Sequence, residues 1–294
     1  MIYYILSASS VEEFATCEQK FAYHRVHRIA PIGFNIKMET GTVGHKGLEY
    51  YYKAIQKGFS FSRAQEVCLQ AGRMAAIKSN LSIEDSEIII SALKEYTIAY
   101  IGETWKILGV SEKFSKIIYE DKDEDFGIAV EGETDLRVIN TQNIELIVDH
   151  KFKFSNRRTS PLSFQFMLYP LIFGKYHLVE NIVTINQQPI EKRLERRTHT
   201  YTPDKLAEFK ANLIHWALRM KESEELNDFS RNYTSCDKYG GCAFRPLCEA
   251  PPKVRDTIIG MKFQRREDRF DLFQQKDNSE LDALLEDKEE KNNV

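Results

Sequence analysis

The stretch EGETDLRVINTQNIELIVDHK, residues 131–151, decides the fold. Within FGIAVEGETDLRVIN, Ile128, Val130, Leu136 and Val138 share one parity, and Glu131, Glu133 and Asp135 the other. That two-residue period is a strand with Asp135 on its less apolar face. NTQN at 140–143 reads as a turn, and NIELIVDHKFKF resumes as a second strand with Asp149 and Lys151 on one face. The separation of Asp135 from Asp149 lets one strand end, turn and be followed by a neighbour bearing the second carboxylate. Such a pair suits a hard cation, Mg2+ or Mn2+, and the backbone carbonyl of His150 is close enough in sequence to add a ligand. Such a cation would polarise a phosphate and lower the pKa of a bound water, and Lys151 would supply a fixed positive charge. An ordinary ion pair on an edge strand accounts for the same letters.

Outward from this centre, SEKFSKIIYE from Ser111 reads as a preceding strand, with Glu112 at its start. Pro161 opens a helix over LSFQFMLY that bends at Pro170, and Gln165 and Tyr169, four apart, share its face. Residues 176–186 and 191–201 read as a hairpin, and Thr202-Pro203 opens an amphipathic helix to about Met220. Upstream, Val11, Phe14, Cys17 and Phe21 recur at helical spacing over residues 10–24. Gly41-Thr42-Val43-Gly44-His45 reads as a loop entering a helix near His45, and residues 46–108 as mainly helical, broken near 58–60 and 80–85.

A net charge of −3 over 294 residues neither advertises nor excludes a nucleic-acid partner. Basic residues gather at Lys151, Lys153, Arg157 and Arg158, at Lys192, Arg193, Arg196 and Arg197, and at Lys262, Arg265, Arg266 and Arg269. No Walker A motif speaks for an ATP-driven motor, and no export signal or membrane-spanning run is legible, so a cytoplasmic location is expected. The tail after Gln275 is acidic with little to bury, and is expected to be disordered or a loosely held helix.

Cys236, Cys242 and Cys248 cluster in SCDKYGGCAFRPLC. Three thiolates leave a tetrahedral soft-metal centre one ligand short, and Cys17 is the natural fourth partner. Cys68, in a helical pattern, reads as a packed small hydrophobe.

In their order, SASSVEEFATCEQKFAY at 7–23, GTVGH at 41–45, EGETDLRV at 131–138, IVDHK at 147–151 and QFMLY at 165–169 resemble the PD-(D/E)XK nuclease superfamily. The likeness is to its RecB-like branch, which includes CRISPR-associated and phage exonucleases. The resemblance implies a restriction-endonuclease-like α/β fold, a mixed sheet flanked by helices. It implies five regions: an N-terminal helix and histidine motif (1–45), a helical insertion (46–110), a nuclease core (111–220), an iron-sulfur region closing on Cys17 (221–275) and an acidic tail (276–294). It further implies that Asp135, Asp149 and His45 bind catalytic Mg2+ or Mn2+ beside His150, that Lys151 positions or activates the nucleophile, and that Gln165 and Tyr169 orient phosphates. Cys17, Cys236, Cys242 and Cys248 are implied to ligate a 4Fe-4S cluster, with zinc as the alternative. The implied activity is that of a metal-dependent DNA exonuclease preferring single strands or ends, with a separate helicase or recombination protein as possible partner. A flap endonuclease and a non-catalytic iron-sulfur DNA-end-binding module are the alternatives.

Overall fold

A computed structural model describes residues 1–33, 35–155, 158–186, 190–238, 241–265 and 278–286. Arg157, Arg266 and Arg269 of the basic clusters, and much of the acidic tail, lie outside them.

The chain opens with β1 (Ile2–Leu6), α1 (Ala8–Thr16) and α2 (Glu18–Phe21), then a π turn at Ala22–Val26 and β2 (Ile29–Pro31). Helices α3 (Ile36–Gln56), α4 (Phe61–Lys78) and α5 (Ile83–Ala99) form the expected helical stretch. The second half alternates: β3 (Lys106–Asp121), β4 (Phe126–Ile139), β5 (Glu145–Lys153), α6 (Phe164–Phe173), β6 (His177–Thr184), α7 (Ile190–Arg193), β7 (Leu194–Thr200) and α8 (Pro203–Leu226). Short elements follow: α9 (Arg245–Glu249), α10 (Arg255–Lys262), β8 (Phe263–Arg265) and α11 (Ser279–Asp282).

Several starts differ from the sequence reading: β1 is a strand it does not contain, β3 begins at Lys106 and not Ser111, and α7 takes the first residues of the strand expected from 191. GTVGH lies inside α3, not in a loop, because Asn35 caps the helix upstream by accepting from the N–H groups of Lys37 and Met38. Helix α6 begins after Ser163, whose hydroxyl accepts from Phe166 N–H, so Pro161 precedes the helix.

A mixed sheet runs β1-β4-β5-β6-β7, with β3 on the other edge of β4. The β1–β4 and β5–β6 pairs are parallel, and the β3–β4, β4–β5 and β6–β7 pairs antiparallel. Along one edge of β4, β1 pairs with residues 126–130 and β5 with 136–139. Residues 131–135 therefore carry neither neighbour there, and this gap positions the site. Opposite it, Ser111 on β3 adopts a left-handed φ of 51°, and the β3–β4 register passes from Val110↔Leu136 to Glu112↔Thr134.

The same region separates two cores. Ile128 and Val130 join the core formed with α1, α6 and α8, while Leu136 and Val138, of the same parity, join the one under α3, α4 and α5. Both faces of the sheet are thus covered, which explains the near-continuous apolar run of β6. A third cluster packs Tyr23, Ile29, Phe244, Leu247 and Phe263 around the antiparallel β2–β8 pair. The tail is partly docked: Leu281 and Leu285 are buried against the helical core, and Tyr50 donates to Asp282 at 2.6 Å. Among the described residues no helix is long and apolar enough to cross a membrane.

Candidate functional site

β4 and β5 bring Asp135, Asp149 and Lys151 to the gap in the sheet. Asp135 Oδ2 accepts the backbone N–H of His150 at 2.7 Å, a side chain taking the place of a ladder partner. Its Oδ1 lies 3.2 Å from Nδ1 of His45, presented by α3. Burial works to raise the Asp135 carboxyl, but His45 and the His150 N–H override it and hold the group well below the usual carboxylate range. Burial likewise opposes the charge on His45, and Asp135 prevails, raising that imidazole above its ordinary value.

Asp149 is almost wholly buried, and its Oδ2 lies 2.9 Å from Lys151 Nζ. Burial raises the Asp149 carboxyl, the nearby Asp135 charge raises it further, and Lys151 offsets only part. For Lys151 the balance falls the other way: despite burial, the Asp149 carboxylate holds the ammonium above its usual value. The two carboxyls are pushed in opposite directions.

Lys151 Nζ also donates to Gln165 Oε1 at 2.8 Å. Gln165 Nε2 donates to Tyr169 OH at 2.9 Å, and Tyr169 OH to the carbonyl of Glu133 at 2.9 Å. That carbonyl belongs to the part of β4 that neither β1 nor β5 covers. Helix α6 thereby fastens the lysine to the strand that bears Asp135. His45, Asp135, Asp149, Lys151, Gln165 and Tyr169 are thus brought together. Glu112 is not: it faces Arg137, with Nε at 2.6 Å.

The side chain of His150 points to the opposite face, under α3 and α5. Its ring stacks on Tyr52 at 5.7 Å and 8°, and Nδ1 lies 2.7 Å from Asn181 Nδ2. Burial pushes the imidazole down to about 3, so it is neutral. Two polar residues on β6 escape the sequence reading. Asn181 serves this network, and Glu180, fully buried beside Asp149 in register, takes Lys153 at 2.6 Å and Thr159 at 2.6 Å. Their signal is legible in HLVENIVT, where a Glu-Asn pair interrupts an apolar strand. The second basic cluster is largely paired: Arg193 with Glu95, Arg196 with Glu103 and Arg197 with Glu195.

The expected metal centres are corrected. Among the described residues no group of three or more His, Cys, Asp or Glu side chains is placed to hold a metal ion. At the Mg2+ or Mn2+ position expected for His45, Asp135, Asp149 and His150, the donors are already engaged with one another and with Lys151. The C-terminal iron-sulfur region, and zinc in its place, are corrected on the same finding. Cys17, Cys236, Cys242 and Cys248 do line one small pocket, yet all are free thiols. Burial and neighbouring sulfurs raise the Cys236 and Cys248 thiols above their ordinary value. Cys242 and Cys248 pack against the third hydrophobic cluster, so packing and the β2–β8 pair close this segment on the N-terminal region. Cys68 is fully buried in the helical core.

Sheet and site together define an α/β protein with a nuclease-type core. The family model described as "PD-(D/E)XK nuclease superfamily" matches residues 5–249, and the chain belongs to that superfamily. The superfamily alone is shown; the iron-sulfur-bearing RecB-like branch is corrected with its cluster. Membership implies a nucleic-acid partner. No curated protein matches. Among solved structures, one of SSO0001 is 12% identical, covering 85% of this chain and 88% of the other, with a TM-score of 0.41. Another, named "Putative exonuclease" from Eubacterium rectale, is 13% identical over 80% of this chain and 86% of the other, with a TM-score of 0.47.

Proposed function

We propose that this chain is a deoxyribonuclease that hydrolyses phosphodiester bonds as an exonuclease, acting on single strands or free ends. The observation that carries the reading is the convergence of Asp135, Asp149 and Lys151 at the gap between β1 and β5, fastened by Gln165 and Tyr169. Lys151, kept charged by Asp149, faces the developing negative charge on the phosphoryl oxygens. Asp149, the carboxyl of raised pKa, accepts the proton of the attacking water, and Asp135 stays ionised and orients it. Attack on phosphorus breaks the bond to the 3′-oxygen of the preceding nucleotide, which takes a proton from solvent water, leaving a 5′-phosphate and a 3′-hydroxyl. Phe154, just beyond β5 and 42% exposed, supports single-strand preference because an open aromatic face stacks an unpaired base.

The test compares the native protein with Asp149→Asn on end-labelled single- and double-stranded DNA, linear and circular. Parallel reactions contain Mg2+, Mn2+ or a chelator, so any cation requirement is read directly. Progressive shortening of linear single strands by the native protein alone is the expected result. Equal products from both proteins in every buffer would sink the assignment, and cutting of circles would make the enzyme an endonuclease.

A further inference from the structure

The polar network behind β5 fixes the chemistry of one more residue. Arg196 on β7 is donor-only, and its Nε donates to Asn181 Oδ1 at 3.2 Å. That orients the Asn181 amide, leaving Nδ2 toward Tyr96 OH at 3.1 Å and His150 Nδ1 at 2.7 Å. Tyr96 OH also accepts from Arg196 Nη2 at 2.9 Å. With both acceptor positions filled, it donates its own proton to Tyr52 OH at 2.7 Å. Arg196 is itself held by Glu103 and sandwiched at 3.6 Å from Tyr100 and 4.1 Å from Trp105. Every donor in this chain is assigned, so Nδ1 of His150 must present a lone pair. The ring proton therefore sits on Nε2, an atom that is buried without a hydrogen-bond partner among the described residues.

We propose that His150 is a positioning residue of the catalytic centre. Arg196, through Asn181, fixes its ring as the neutral Nε2–H tautomer, and the anchored ring holds the peptide whose N–H grips Asp135. The reason is geometric. The His150 N–H belongs to the peptide between the buried Asp149 and His150, and Lys151 follows directly. A ring clamped by the Tyr52 stack and the Asn181 bond leaves that peptide one orientation, which aims Asp149 and Lys151 as well as the N–H. The network thus couples β7 and the helical insertion to the catalytic carboxylates.

The proposal rests on the nuclease reading for its catalytic part and on hydrogen bonding alone for the tautomer. Long-range proton–nitrogen NMR of the 15N-labelled full chain reads the tautomer directly. The expected native spectrum shows His150 protonated at Nε2 and bare at Nδ1 throughout the neutral range. An Nδ1–H ring or an imidazolium there would overturn the proposal, with no need for a substituted protein. Asn181→Asp places an acceptor against Nδ1 and is expected to draw a proton to it. On single-stranded DNA, kcat should then fall roughly 10- to 100-fold while KM stays within about twofold. A switched tautomer with native kcat would also overturn it. Tyr52→Phe, which keeps the stack, is expected to retain kcat within about threefold; a loss equal to that of Asn181→Asp would point to general loosening and count against it. Native protein that shows the Nε2–H ring yet cuts no DNA would refute the nuclease reading and leave the tautomer assignment standing.

Discussion

Lys151 shows how far a single side chain depends on its surroundings. It touches Asp149, Gln165 and, at 5.6 Å, the ring of Phe166, so a charge that burial opposes is retained by contacts from two elements. Its pairing with Asp149 is legible in the sequence, because residues two apart on a strand must share a face. The Gln165–Tyr169 pair is legible for the equivalent helical reason. The neutral state of His150 is not, since it depends on burial, and the side chains that cover the ring, Tyr52 and Asn181 among them, are remote in sequence. Phe154 carries a prediction at this scale. Phe154→Ala should weaken single-stranded DNA binding by about 1–3 kcal/mol, the worth of one stacked base, and leave duplex binding nearly unchanged. Fluorescence anisotropy with matched single- and double-stranded oligonucleotides checks it; equal weakening of both would remove the stacking role.

Helix α3 is where the sequence signal misleads. The glycines of GTVGH suggest a loop, yet they lie within a helix, where the missing side chain of Gly44 allows close approach. A Cβ on Gly44 would stand 2.4–2.5 Å from ring atoms of Phe152, and one on Gly47 2.5 Å from Leu93 Cδ1. Gly44 therefore sets how near α3 comes to β5, and with it the reach of His45, whose ring lies 5.7 Å from Phe152. Gly44→Ala should cost about 1–3 kcal/mol by overpacking and reduce activity by displacing His45 from Asp135. Urea unfolding and DNA cleavage rates check both parts; unchanged stability and rate would show that Phe152 moves aside freely. Strand β4 defeats the sequence reading in another way. Ile128, Val130, Leu136 and Val138 keep one parity but enter two cores, the first pair beside β1 and the second beside β5, on either side of residues 131–135 that neither strand covers.

Across the whole molecule, the N-terminal elements are tied to the turn that follows them by Glu13. It lies 2.9 Å from His24 Nδ1 and 3.0 Å from Arg25 Nε. Burial raises the Glu13 carboxyl, but His24 and Arg25 outweigh it, so the folded group ionises below the ordinary glutamate value. A depressed carboxyl contributes stability above its unfolded pKa and loses it as pH falls through the folded one. Glu13→Gln should therefore melt at a lower temperature than the native protein at neutral pH, with the gap narrowing below about pH 4.5. A gap constant from neutral to acid pH in thermal melts would show that the ionised carboxylate is not what stabilises this contact.

The succession of strands from β3 to β7, the helical stretch before them and the Asp149–Lys151 face follow from the sequence alone, because periodicity and turn chemistry act over a few neighbouring residues; the place of β1 beside β4 does not. Contacts between distant segments decided the rest. They dock Leu281 and Leu285 on α3 and α4, and they gather four cysteines around a pocket as free thiols, with no group placed to hold a metal among the described residues. They also leave residues 131–135 of β4 uncovered along one edge, so that Asp135 can meet Asp149. The physical reason is common to all three: burial and charge at each group are set by neighbours far away along the chain, and local pattern carries no record of them.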